Sequence, residues 1–264
     1  METLKQAANA ILLTADPAEK VRRSAQLAMA WRAGTLPLGA PVPAPQRPGR
    51  PDRPVLLRPG DMPNRKVGGS QGKRIALLHA LAHIELNAID LAWDIIVRFD
   101  GVELPPAFFD DWVKVAAEEA LHFDLISQRL ASLNAAYGDL PAHDGLWQSA
   151  IETAHDVLAR LAVVPLVLEA RGLDVTPTMI ADLQRISDLE SAAVLQRIYD
   201  DEIGHVAIGS RWFNTIAASR SLDPAATWQL LVKQHFRGHL KRPFNRTGRD
   251  LAGLPADFYE PIAG

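Results

Sequence analysis

Glu119 and His122 stand three positions apart, and so do Glu202 and His205, each pair inside a stretch whose other residues follow a helical period. Positions i and i+3 of a helix project from nearly the same face, so each pair offers a carboxylate and an imidazole to one point in space. Two more glutamates, Glu85 and Glu169, interrupt seams that are otherwise apolar. A carboxylate in such a seam costs roughly several kcal/mol unless it is paired, and several converging on one core repel one another unless cations lie between them. Carboxylates offset the charge of divalent ions and can bridge them, while imidazoles fill terminal positions. That mixture suits iron or manganese.

The spacing repeats. Glu119 and His122 lie 83 residues before Glu202 and His205, and Glu85 lies 84 before Glu169. Each lone glutamate precedes its Glu-x-x-His by a similar distance, 34 residues in the first half and 33 in the second. Each is followed five positions later by an aspartate, Asp90 or Asp174, and each Glu-x-x-His follows an acidic residue, Glu118 or Asp201. The chain reads as two copies of one helix-pair unit.

Helices must position these groups. A heptad stripe (Ile75, Leu78, Ala82, Glu85, Ile89, Ala92, Ile96) predicts a helix over about 71–99, ending before Gly101. Trp112, Val115, Glu119, His122, Ile126, Leu130 and Leu133 predict a second over 106–136. A third is expected over 145–172, with Ile151, His155, Leu158, Ala162, Pro165 and Glu169 on its inner face. Thr176-Pro177, an N-cap residue followed by proline, predicts the start of a fourth that runs to about 219 with a break near Ser187. Its stripe is Ala192, Leu195, Tyr199, Glu202, His205, Gly209 and Trp212. The expected organisation is one domain: N-terminal helices over 1–34, a Pro-rich extended segment over 35–70, a four-helix bundle over 71–222, and a C-terminal helix with an irregular tail over 223–264.

Four carboxylates and two imidazoles on four helices are the ligand set of ferritin-like carboxylate proteins with two iron or manganese ions. The stretches HALAHIELNAIDLAWD, AAEEALHF, LVLEARGLDVTP and IYDDEIGHVAIGSRWF, with PGRPDRP upstream, resemble a bacterial ferritin-like family catalogued as a domain of unknown function, over about 45–260. The chain is also similar in ligand pattern to ribonucleotide reductase small subunits, bacterial multicomponent monooxygenases and the tRNA-modifying hydroxylase of that superfamily. The resemblance implies an all-α, ferritin-like four-helix bundle holding two iron ions, with manganese or a mixed pair as alternatives. It implies that Glu119 and Glu202 bridge, that Glu85 and Glu169 are terminal carboxylates, and that His122 and His205 bind one metal each. Metal-bound histidines usually donate their other nitrogen to a carboxylate or carbonyl, a role for which Glu118 and Asp201 are candidates, beside exposed charge. Tyr199 is a candidate for electron transfer or for a hydrogen bond to the site, beside plain core packing.

The function this implies is an oxidase or hydroxylase that activates dioxygen and acts on a small organic substrate, supplied by an external electron donor. The alternatives are iron storage with ferroxidase activity and a tRNA-modifying hydroxylase. The chain has no cysteine, which excludes disulfides, thiolate zinc sites and cysteine-ligated iron–sulfur clusters. Its net charge of −3 argues against a generally nucleic-acid-coating surface. Two basic stretches qualify this: Arg47, Arg50, Arg53, Arg58, Arg65 and Lys66, and the run Lys233–Arg249 with His235, Arg237, His239, Lys241, Arg242 and Arg246. No stretch approaches the roughly 20 apolar residues of a membrane span, so a cytoplasmic protein without a membrane partner is expected, as monomer or homo-oligomer. His79 and His83 share a face turned away from Glu85 and read as packing, against a role in holding the Pro-rich segment or lining a second site. His155, two heptads before Glu169, is too far along a helix axis to share its metal.

Overall fold

The computed structural model describes residues 2–58, 61, 70–99 and 102–264. Arg65, Lys66 and Gly101, which entered the expectations above, lie outside them, as does most of the stretch 59–69 of the Pro-rich segment. The chain is predominantly α-helical and divides into two compact units, Met1–Trp147 and Gln148–Gly264.

The first unit opens with α1 (Leu4–Leu12) and α2 (Pro17–Arg32). Thr3 and Gln6 form a capping box at the start of α1, and Asp16 caps α2 ahead of a proline at its first position. Its main element is the antiparallel pair α3 (Gln71–Arg98) and α4 (Pro106–Ser132). The Gln71 side chain at the start of α3 donates to the Leu133 carbonyl just past the end of α4, 2.9 Å away. The predicted second helix is four residues too long, because the chain turns at Asn134, whose φ of 58° is left-handed. Two short strands, β1 (Leu56–Leu57) and β2 (Ala142–His143), pair in parallel and tie the Pro-rich segment to the loop after α4.

Among its described residues, that segment is bolted down at several points. The Gln46 carbonyl accepts from the Trp147 indole, the Pro45 carbonyl from Arg98, and the Gly49 amide donates to the Leu12 carbonyl. Gly49 is required there, since a Cβ would lie 2.4 Å from the Leu13 carbonyl oxygen.

α3 is long and apolar enough to cross a membrane, contrary to the sequence expectation, but most of its apolar window is buried inside the protein. Glu85, Asp90 and Asp94 on it are buried as well. It is a core helix with charges to satisfy.

The second unit departs further from expectation. The predicted third helix is three pieces: α5 (Gly145–Glu152), α6 (Val157–Val163) and a π-helical turn over Val164–Glu169. Asp156 caps α6 and stops α5 from running on, so Ile151 and His155 are exposed instead of facing inward. No helix begins at Thr176-Pro177. Instead α7 (Ala170–Arg185) continues through Pro177. A proline inside a helix leaves the carbonyl four residues back without its donor; here that carbonyl belongs to Leu173, and the Asn245 side chain donates to it at 3.0 Å. The break near Ser187 is present, with φ 59°, and Asp188 caps α8 (Leu189–Ser219). A helix follows Asp223 as expected, α9 (Pro224–His235), and the tail after it carries α10 (Arg246–Leu251) and α11 (Ala256–Tyr259), so it is less irregular than its prolines suggest.

Candidate metal centre

In the first unit, α3 and α4 bring Glu85, Glu119 and His122 together. Each offers a ligand atom within 4.8 Å of the others'. His122 Nδ1 lies 3.4 Å from Glu119 Oε2 and 3.7 Å from Glu85 Oε2, and all three side chains are buried. Burial alone would lower the imidazole pKa. The Glu119 and Glu85 carboxylates beside it outweigh this and push the value up to about 11. Two buried carboxylates therefore attract positive charge strongly enough to hold a proton on a buried histidine. A divalent cation would satisfy the same field with its ligands deprotonated. By donor type, spacing and electrostatics, the cluster fits a metal ion.

In the second unit, His205 is fully buried and its Nδ1 lies 3.7 Å from Glu202 Oε1. Glu169 closes the π turn and is half-buried. Its level is set by a close helix contact: a Cβ at Gly209 would lie 2.4 Å from the Pro165 Cβ, so Pro165 packs directly on α8. α7 and α8 form a tight hairpin around residues 186–188 and so run antiparallel. Glu169 lies four residues after Pro165 and His205 four residues before Gly209, so this packing contact stands close in sequence to both. Glu169, Glu202 and His205 all belong to this second unit.

Behind each lone glutamate sits the matched aspartate, and here sequence reasoning saw the landmark without its purpose. Asp90 is fully buried and forms ion pairs with Lys20 of α2, itself 1 % exposed, and with Arg50 of the Pro-rich segment. Arg50 also donates to Asn87 Oδ1 at 2.6 Å, and Lys20 to the Gly49 carbonyl. Asp174 is held by a two-pronged pair from Arg249 at 2.8 and 2.9 Å and by the Asn245 amide at 2.9 Å. The Arg249 guanidinium lies against the rings of both Phe244 and Tyr259, which meet each other edge to face.

The remaining candidates fall as follows. Glu118 and Asp201 pair along their own helices with Lys114 and Arg197 at 3.9 and 2.7 Å. The Tyr199 hydroxyl accepts from the Asn245 side chain at 2.9 Å. His79 and His83 fasten the loop after α4: His79 Nε2 accepts from the Gly138 and Leu140 amides, and His83 bonds the Tyr137 hydroxyl and the His143 carbonyl. Several of the basic residues meet acids within their own unit, Arg47 with Asp144, Arg237 with Glu152, and Arg242 and Arg246 with Glu260.

What fold and site define is a helical protein with a buried carboxylate–histidine cluster that could hold a metal ion. The chain belongs to the family described as a protein of unknown function (DUF455), whose model matches residues 13–260. It is similar to an uncharacterized protein of Haemophilus influenzae, 40% identical over 209 residues that cover 77% of this chain and 72% of the relative. No solved structure matches.

Proposed function

We propose that this is a ferritin-like dinuclear metal protein whose two ions are held by Glu85, Glu119, His122, Glu169, Glu202 and His205, and that it is an oxidase or hydroxylase of a small organic substrate. The observation that carries the reading is the burial of Glu85, Glu119 and His122 within 4.8 Å of one another on two packed helices. Supporting it are the matched offsets of the second set and a composition without cysteine, which leaves oxygen and nitrogen donors as the available ligands. Iron is the favoured metal, with manganese using nearly the same donors. Once bound, the pair would supply dioxygen activation, with electrons from an external donor.

The chain's own residues do the rest. α3 and α4 fix the Glu85, Glu119 and His122 donor atoms before any ion arrives, which limits the ordering cost of binding. Trp112, Phe123 and Ile126 keep the α4 face dry, so the carboxylates act in a low dielectric. His122 releases its proton to become a ligand.

The test is metal content of the purified full chain after anaerobic loading with ferrous iron, read by elemental analysis. Two ions per chain are expected, and Glu119→Ala should lose at least one of them. Full retention in both Glu119→Ala and Glu202→Ala overturns the assignment.

A further inference from the structure

Resting on that metal-binding reading, we infer that the two ligand sets hold their ions unequally: the ion on Glu169, Glu202 and His205 is the exchangeable one, open to an outside ligand, whereas the ion on Glu85, Glu119 and His122 is sealed in. The first set is closed. Glu119 and His122 are 0 % exposed and the Glu85 side chain 5 %. Its glutamates stand on uninterrupted α-helices, and α3 has no proline between Gln71 and Arg98. A carboxylate so placed exchanges its partner for water only if the helix pair opens.

The second set is built otherwise. His205 is as buried as His122, but the Glu202 side chain is 12 % exposed and Glu169 is half-buried. The backbone under Glu169 is also different. Pro165 brings no N–H, and the Ala170 amide reaches back five residues to the Pro165 carbonyl. Such a turn carries an extra residue compared with an α turn, and π turns inside helices occur disproportionately where function needs a displaced side chain. Pro165 is pinned against Gly209, so the packed end of the turn is fixed while Glu169 lies at its less buried end. A terminal carboxylate on that end can yield a coordination position to an incoming molecule while its helix stays packed.

The experiment loads the full chain with two equivalents of ferrous iron without oxygen, then adds an excess of a chromogenic ferrous chelator and follows release by absorbance. Release in two phases of one equivalent each is expected, an order of magnitude or more apart. Glu169→Gln should remove the fast equivalent and keep the slow one, and Glu85→Gln should do the reverse. Pro165→Ala touches no ligand and restores the missing N–H; it should slow the fast phase and leave the slow phase alone, with helix content checked by circular dichroism. Both ions leaving in one phase, or Glu169→Gln removing the slow equivalent, overturns the inference while the metal assignment stands. An unchanged fast phase in Pro165→Ala overturns the role of the π turn. A chain that binds no iron overturns both readings.

Discussion

The pair α3–α4 and the pair formed by the π turn and α7 with α8 carry the same landmarks at nearly the same offsets, yet they are secured from opposite ends of the chain. In the first, the aspartate after the lone glutamate is held by cations from upstream, Lys20 and Arg50. In the second it is held from downstream, by Arg249 and the Asn245 amide. A helix pair that points carboxylates inward needs its register fixed, since rotating either helix would move them off target. The repeated unit encodes the lock as an aspartate, and the segments outside the repeat supply the keys. The N-terminal helices, the Pro-rich stretch and the C-terminal tail are therefore parts of the site's support.

The largest expected effect comes from breaking the upstream lock. Asp90→Ala leaves Lys20, 1 % exposed, and Arg50 without their counterion. Removing one partner of a buried ion pair costs about 3–5 kcal/mol, and two cations on one carboxylate place this at the top of that range. Urea denaturation should show the loss, and the double substitution Lys20→Met with Asp90→Leu should recover most of it. Asp174→Ala comes next, at about 3 kcal/mol, because a single deeply buried cation is stranded and the Phe244 and Tyr259 rings still lie against it. If Asp174→Ala proves the more damaging, the two locks are not equivalent in the way their geometry indicates.

Asn245→Ala sharpens the comparison, since α3 has no proline to accommodate and no counterpart of this residue. The Asn245 side chain donates to the Leu173 carbonyl that Pro177 cannot serve, donates to the Tyr199 hydroxyl, and accepts from the Gly248 amide as the cap of α10. A lost cap costs about 1 kcal/mol and an unmet buried carbonyl about 1–3. A loss of about 2 kcal/mol in the same assay is expected, with α7 fraying first in hydrogen exchange.

Why the first unit was legible and the second less so follows from the same elements. The stripes on α3 and α4 are unbroken, so period alone placed Glu85, Glu119 and His122 on facing surfaces, and their burial agrees. In the second unit, two prolines misled in opposite directions. Pro177 looked like a helix start, but its effect is cancelled by Asn245, 68 residues away in sequence, and no local pattern announces such a partner. Pro165 looked tolerable in a long helix and instead produced the π turn. The break at 153–156 had a readable signal in Asp156, an N-cap residue before the apolar run at 157. Lys20 could not be found as the partner of Asp90, because a lysine on an amphipathic helix is ordinarily a solvent residue.

The smallest predicted effect concerns the loop after α4, a feature of the first unit alone. His83 is held neutral: burial comes first among the causes that lower its pKa to about 4, with the positive charge of Arg50 adding to it against the His143 carbonyl. Tyr137 and Asn87 also face it, the charges of His79 and His143 act on it, and Asn87 donates to the His83 backbone carbonyl. In the unfolded chain the imidazole takes up a proton near its ordinary value of about 6.5, while in the fold it does so only near 4. The unfolded state therefore binds more protons in that window, and the stability linked to His83 falls as pH drops from about 6.5 toward 4. Between pH 7 and 6 the contribution is under about 1 kcal/mol. His83→Gln keeps a hydrogen-bonding side chain without the titration, so its stability should decline less than that of the parent over this interval. Parallel curves would mean that the imidazole takes up its proton over the same pH range folded and unfolded, and that the loop does not hold the ring neutral.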